Sequence, residues 1–287
     1  MLLHVLHRTT FVYAGQAHDS FNEVRLHPVD ERLQTCRRYA LRVEPEAEPR
    51  AYRDFYGNEV QYFDVATGHS RLVVEAESEV ETVPDAERPA IPIVSAAELA
   101  ASPEREMLAE FSTDSHYVPL EAELWREAQD ALAAGRSDVW ADVRRLSRHV
   151  HSTFTYRPNV TGVSTLATDA LKLRAGVCQD FAHVLLGLCR SVGIPARYVS
   201  GYFFNRHRRK GEIEASHAWI EAYVPGYGWA AYDPTHDRGA DDHYVKVAAG
   251  RDYADIRPVS GTYRGAATRD LRVVVRIREA AESVASA

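Results

Sequence analysis

Along residues 1–83, β-branched and aromatic side chains alternate with polar ones, the period of a strand with one buried face. The pattern predicts strands over 3–13, 23–28, 36–43, 60–66 and 72–83, with Tyr56-Gly57-Asn58 as a turn signal. No long helical period interrupts them, so this stretch reads as an antiparallel β-rich N-terminal domain. Residues 84–103 lose any period and carry Pro84, Pro89, Pro92 and Pro103, which predicts an extended linker. From 104 the spacing of apolar positions changes to three and four, predicting helices over 104–111, 120–134, 139–154 and 166–173. A further helix begins near Cys178, with Phe181, Val184, Leu185 and Leu188 at helical spacing, and Gly193-Ile194-Pro195 stops it. Strands are then expected over 197–204, 215–224 and 228–233. Helices followed by strands make an α+β layout, helices packed on an antiparallel sheet, over residues 104–278. Residues 279–287 read as a flexible tail, and the pattern leaves open which sheet takes a last strand at 271–277.

Composition narrows the class. The chain has 287 residues, 45% hydrophobic and 26% charged, enough for about two folded domains. Its net charge of −7 argues against a general nucleic-acid or anionic-membrane binder. No run reaches the ~18 apolar residues of a membrane span, and the first residues lack a signal-peptide pattern, so a soluble cytoplasmic protein is expected. The three cysteines, Cys36, Cys178 and Cys189, suit neither a disulfide framework nor a zinc site. No metal is expected. Nothing in the spacing encodes an oligomeric state.

Cys178 follows Gly176-Val177 at a predicted helix start, where free N–H groups and the helix dipole favour a thiolate. Gly176 would leave room for a substrate to approach. A lone Cys in an apolar helix is more often a core residue, and Cys189, about 16 Å further along by helix rise, is read that way. The segment 215–235 favours chemistry at Cys178. On its first strand His217, Trp219, Glu221 and Tyr223 share one face. If Pro225-Gly226-Tyr227 is a three-residue hairpin loop, Val224 pairs with Gly228 and Asp233 falls diagonal to His217. Diagonal neighbours lie about 7–8 Å apart at the backbone, within reach of a hydrogen bond between the side chains. A thiol, a base and an orienting carboxylate form the constellation for nucleophilic acyl transfer. The Cys178 N–H is a natural oxyanion donor, with Gln179, Trp219 and loop amides competing to be the second.

Four segments in order, 174–182, 193–202, 217–221 and 233–235, resemble the transglutaminase-like superfamily of papain-type cysteine enzymes. Glu23-Val24-Arg25-Leu26, Asp54-Phe55-Tyr56-Gly57-Asn58 and residues 250–255 extend the likeness to its bacterial branch with a β-rich N-terminal region. The resemblance implies a papain/transglutaminase-like core, a Cys178-His217-Asp233 triad and no cofactor. Eukaryotic members carry Trp after the nucleophile where this chain has Gln179, and their appended domains are absent here. That departure favours hydrolysis of a peptide, protein or other amide substrate over crosslinking. Acyl transfer to an amine is the alternative, and a catalytically idle binding module the third reading.

Asp180 and His183 are read as structural, because Asp180 suits the first helical turn and His183 points about 140° away from Cys178. His236 or Asp237 could replace a triad member only if the hairpin slipped. Arg206-His207-Arg208-Arg209-Lys210 reads as a solvated hairpin tip. Asp237, Asp241, Asp242 and His243 lack calcium-loop spacing. Trp219, Tyr223 and Trp229 are expected either to wall a cleft or to pack a core.

Overall fold

The structure is a computed structural model and describes residues 1–206 and 216–280. Residues 207–210 of the basic run, residue 215 of the predicted strand and most of the tail lie outside the described residues.

Five strands open the chain: β1 (Leu2–Val24), β2 (Gln34–Glu44), β3 (Arg50–Arg53), β4 (Glu59–Val65) and β5 (His69–Thr82). β1 fuses two predicted strands, because backbone pairing continues past the irregularities between Val12 and Ala17. Its early residues pair with β5, as in Val5↔Ser78, and its late ones with β4, as in Asn22↔Phe63. The extended segment after Val24 leaves the sheet, so the predicted strand over 23–28 is cut short. Tyr13, Val24, Leu26, Phe63, Leu72 and Val74 form the apolar cluster of this region.

The predicted linker holds a one-turn helix, α1 (Ala96–Ala100). The Ser95 hydroxyl accepts from the Glu98 N–H, and the Glu98 carboxylate accepts from the Ser95 N–H at 2.7 Å, a reciprocal cap that period reading does not see. The predicted helix over 104–111 is replaced by two 3-10 turns, Pro103–Arg105 and Ala109–Ser112. Only Leu108, between the two turns, is buried, too little packing to sustain a longer helix there.

α2 (Ala122–Ala131), α3 (Val139–Thr153), the short strand β6 (Thr155–Tyr156), α4 (Ala167–Leu173), β7 (Ala175–Gly176) and α5 (Cys178–Ser191) follow. α5 is apolar nearly all round because it is enclosed nearly all round. Phe181, Ala182, Val184, Leu185, Leu186 and Leu188 are each at most 2% exposed. Each large apolar side chain among them contributes roughly 1.5–3 kcal/mol by leaving water. A Cβ on Gly187 would stand 2.8 Å from Leu124, so glycine lets α2 approach α5 closely. In the last turn of α5, buried Arg190 donates to the Ala196 carbonyl at 2.8 and 3.0 Å and ties the helix end to the next strand.

The second sheet contains β8 (Ala196–Phe203), β9 (His217–Val224), β10 (Gly228–Asp233), β11 (Arg238–Gly239) and β12 (Tyr244–Gly250), in the order β11-β10-β9-β8-β12. Ala218, Ile220, Ala222 and Val224 face the helices and join their core, as the alternation predicts. β13 (Val259–Gly265) and β14 (Thr268–Glu279) then return to the first sheet, with Val5↔Ile277 and Phe21↔Thr262 pairing both to β1. The strand left open by the sequence therefore completes the N-terminal sheet, and 259–279 departs structurally from the 104–278 unit. Leu3, Val5, Val80, Val275 and Ile277 lie in one apolar cluster with Leu185 and Leu188, which joins this sheet to the helical layer.

Gly201 gives a direct test of the packing. A Cβ there would stand 2.0 Å from the Val245 carbonyl oxygen and 2.6 Å from the Trp219 ring. We expect Gly201→Ala to destabilise the fold by at least about 3 kcal/mol, lowering Tm by roughly 6–12 °C in calorimetry. An unchanged Tm would contradict the β8–β12 register.

Candidate active site

Three local devices set Cys178 in place. The parallel pair β6–β7, held by Thr155 N–H to the Arg174 carbonyl (2.9 Å) and Arg157 N–H to the Gly176 carbonyl (2.8 Å), fixes the chain entering α5. Asp180, 1% exposed, accepts from the Val177 N–H and the Thr161 hydroxyl, both at 2.7 Å, which closes the first helical turn. A Cβ on Gly176 would lie 2.4 Å from an Asp180 carboxylate oxygen. Gly176 thus makes room for this cap, a different use from the substrate access expected of it. Cys178 then occupies the first position of α5, half-buried and with a free thiol.

The hairpin has the register predicted from its loop, running from Gly228↔Val224 to Tyr232↔Ile220. It brings His217 Nε2 to 2.7 Å from Asp233 Oδ2. The Cys178 thiol is the other group that acts on the imidazole, and it favours the charged ring. Asp233 is fully buried and takes four donors. Oδ2 accepts from His217, from His236 Nδ1 at 2.6 Å and from the Tyr244 hydroxyl at 2.7 Å, while Oδ1 accepts from the Thr235 N–H at 2.8 Å. With Nε2–H donating to the carboxylate, Nδ1 of His217 is the nitrogen left for the thiol.

Sequence reasoning missed the second imidazole and the phenol on Asp233. His236 was weighed only as a substitute, whereas the structure places it beside His217 on the same oxygen. Tyr244 comes from β12, and no local spacing encodes its reach. Phe203 packs between these groups, its ring 4.7 Å from both His236 and Tyr244.

The electrostatics follow from this packing. Burial opposes the charged form of His217, but Asp233 and Cys178 outweigh it and raise its pKa to about 10. Burial likewise opposes the Asp233 anion, yet the His217 charge and hydrogen bond, with those of His236, hold it well below the usual carboxylate range. The raised His217 value means that its stabilising contribution is complete below pH 6.5 and is lost as pH rises toward about 10. Chemical denaturation across that range should show stability falling, with a shallower fall in His217→Ala. Equal slopes in both proteins would contradict the buried imidazolium.

The other singled-out residues have defined places. The Gln179 amide donates to the Val163 carbonyl at 3.1 Å. Trp219 is 1% exposed, its ring 6.0 Å from His217 and 5.3 Å from Tyr244. Tyr223 and Trp229 make an edge-to-face pair. His183 is buried, stacked on Tyr117, and held neutral by burial with its pKa lowered to about 3. Cys189 is enclosed in the core, and Cys36 sits on β2. Ligand atoms of His217, Asp233 and His236, and of Asp241, Asp242 and His243, lie close enough for a metal ion. In the first set those atoms already hydrogen-bond one another. Among the described residues no helix is long and apolar enough to cross a membrane.

A thiol at the start of a buried helix, facing a histidine and an aspartate on an antiparallel hairpin, defines the papain-like class of architecture. Comparison with known proteins gives the family. Residues 126–234 match the Transglutaminase-like superfamily, and residues 3–81 match the Bacterial transglutaminase-like N-terminal region. An uncharacterized protein of Mycobacterium leprae, ML0607, is 36% identical over 283 residues, covering 96% of this chain and 98% of its own. The chain belongs to the transglutaminase-like superfamily. A Protein-glutamine gamma-glutamyltransferase of Pseudomonas aeruginosa is 30% identical over 126 residues, 42% of this chain and 19% of that protein. The fold is shared with a candidate cysteine protease from Cytophaga hutchinsonii at a TM-score of 0.76 and 22% identity, over 98% of this chain and 92% of that one.

Proposed function

We propose that this protein hydrolyses an amide or peptide bond through a thioester on Cys178. The observation that carries the reading is His217, hydrogen-bonded at 2.7 Å to buried Asp233 and in electrostatic contact with the Cys178 thiol. The thiol proton rests on His217 as an imidazolium beside the Cys178 thiolate, and Sγ attacks the acyl carbon. The oxygen charge that develops meets the Cys178 N–H at the positive end of α5. His217 returns the proton to the leaving amine as the C–N bond breaks, leaving the thioester. Water then attacks the thioester with His217 as base, and the acid departs as the thiol re-forms. Asp233 keeps the imidazole in one orientation and stabilises its cation throughout. We place this chemistry in the cytoplasm, where the free thiols stay reduced.

Acyl transfer uses the same thioester with an amine in place of water, and the Pseudomonas relative's name gives this second reading its support. Incubation with casein and a fluorescent primary amine separates the two. Hydrolysis yields new carboxylates or free ammonia with no fluorescence on the protein. Covalent fluorescence dependent on Cys178 would put transfer first.

A further inference from the structure

Outside the Cys178 site, the outer face of the second sheet carries a groove roofed by the N-terminal region. It consists of two adjoining cavities of about 210 and 510 Å³ that share Leu33, Arg88, Tyr227, Ala231, Ala240 and Asp241 in their walls. Neither Cys178, His217 nor Asp233 lines it.

Most of its charges cancel internally. Glu221 takes Lys246 at 2.8 Å and Arg197 at 2.6 Å, Glu31 takes Lys246 at 2.8 Å, and Asp241 pairs with Arg238. Three cations remain, against the single carboxylate of Asp85. Arg32 donates to the Tyr227 carbonyl and Arg88 to the carbonyls of Val83 and Ala240, while Arg144 lies beside the Tyr232 phenol. Among the described residues none of the three forms an ion pair with a carboxylate, so each keeps most of its charge for a visitor. The groove is thus a positive strip on a chain whose net charge is −7.

Its shape selects among anions. Arg32 belongs to one cavity, Arg144 to the other and Arg88 to both, so a single small anion would meet only part of the set. An extended peptide presents side chains on one face about every 7 Å, which lets successive carboxylates meet successive guanidinium groups. Tyr227, under Arg32 at 4.5 Å, and Trp229, under Arg197 at 4.2 Å, offer flat surfaces for the intervening residues. We propose that this groove docks an extended acidic peptide segment, with carboxylates on Arg32, Arg88 and Arg144. The docking is separate from the thiol chemistry proposed above and needs no turnover.

The test is fluorescence anisotropy with a labelled decapeptide of alternating Glu and Ser, titrated with the full chain carrying Cys178→Ala. Binding is expected to weaken with salt, and at least about fivefold in an Arg32→Gln/Arg144→Gln variant, whose exposed positions spare the fold. The matching Lys/Ser peptide should not bind. Absent binding, or affinity unchanged in the double variant, would overturn the proposal. A ten-residue oligothymidine that bound as tightly through the same arginines would overturn it too, because the groove would then read negative charge alone. Failure here leaves the Cys178 reading intact, since that rests on turnover and thiol labelling.

Discussion

Cys178→Ala is expected to lower kcat/KM for amide hydrolysis by about 10⁴-fold or more, with the fold retained. The thiol is half-buried at the first position of α5, and the cap that shapes this turn belongs to Asp180 rather than to Cys178. The contrasting variant is Cys189→Ala. That thiol is enclosed in the core, so its loss should cost about 1–2 kcal/mol of stability and leave turnover intact. Steady-state kinetics and denaturant unfolding of both proteins check the pair. Substantial activity in Cys178→Ala would remove the thioester from the account.

The second large effect is expected at Asp233, and it combines catalysis with stability. Its two oxygens face four donors, three of them on Oδ2. Asn keeps the shape but replaces one oxygen with an NH₂ group, so either orientation sets N–H against N–H or O–H. Asp233→Asn should therefore lower kcat by about 10⁴-fold, because His217 loses its fixed orientation. It should also cost about 3–5 kcal/mol, because donors are left unpaired in a buried place. Asp233 is depressed in the folded state, so the stability it supplies is present above the ordinary carboxylate range and lost as pH falls through it. Acid unfolding should thus be less steep in the variant. A variant with normal kcat and Tm would show that the four hydrogen bonds carry neither role.

The sequence was most legible where function depends on short-range geometry. Pro225-Gly226-Tyr227 determines the β9–β10 register, and that register alone brings His217 and Asp233 to one face. The apolar spacing after Cys178 likewise marks α5, whose N-terminus presents the thiol. Other features rest on partners remote in the chain. β14 pairs with β1 across most of the sequence, and alternation in a strand does not name its neighbour. Tyr244 reaches Asp233 only because β12 follows β8 in the second sheet. At Gly176 the residue was noticed and its reason was not, since only the folded chain shows Asp180 filling the space a Cβ would take. The apolar spacing over 104–111 suggested a helix, but with Leu108 its single buried residue the segment settles into 3-10 geometry.

The central claim is that His217 holds Cys178 ready as a nucleophile, and the pH dependence of alkylation tests it most directly. The chain carries its own controls, since burial pushes Cys36 up to about 11 and Cys189 up to about 12. With iodoacetamide and mass spectrometry of each cysteine, Cys178 alone should be labelled well below the free-thiol pKa of about 8.5. The His217→Ala change should move that labelling up toward the free-thiol value. Labelling of Cys178 that rises only near the free-thiol pKa in the unaltered protein, or that is indifferent to His217, would contradict the account.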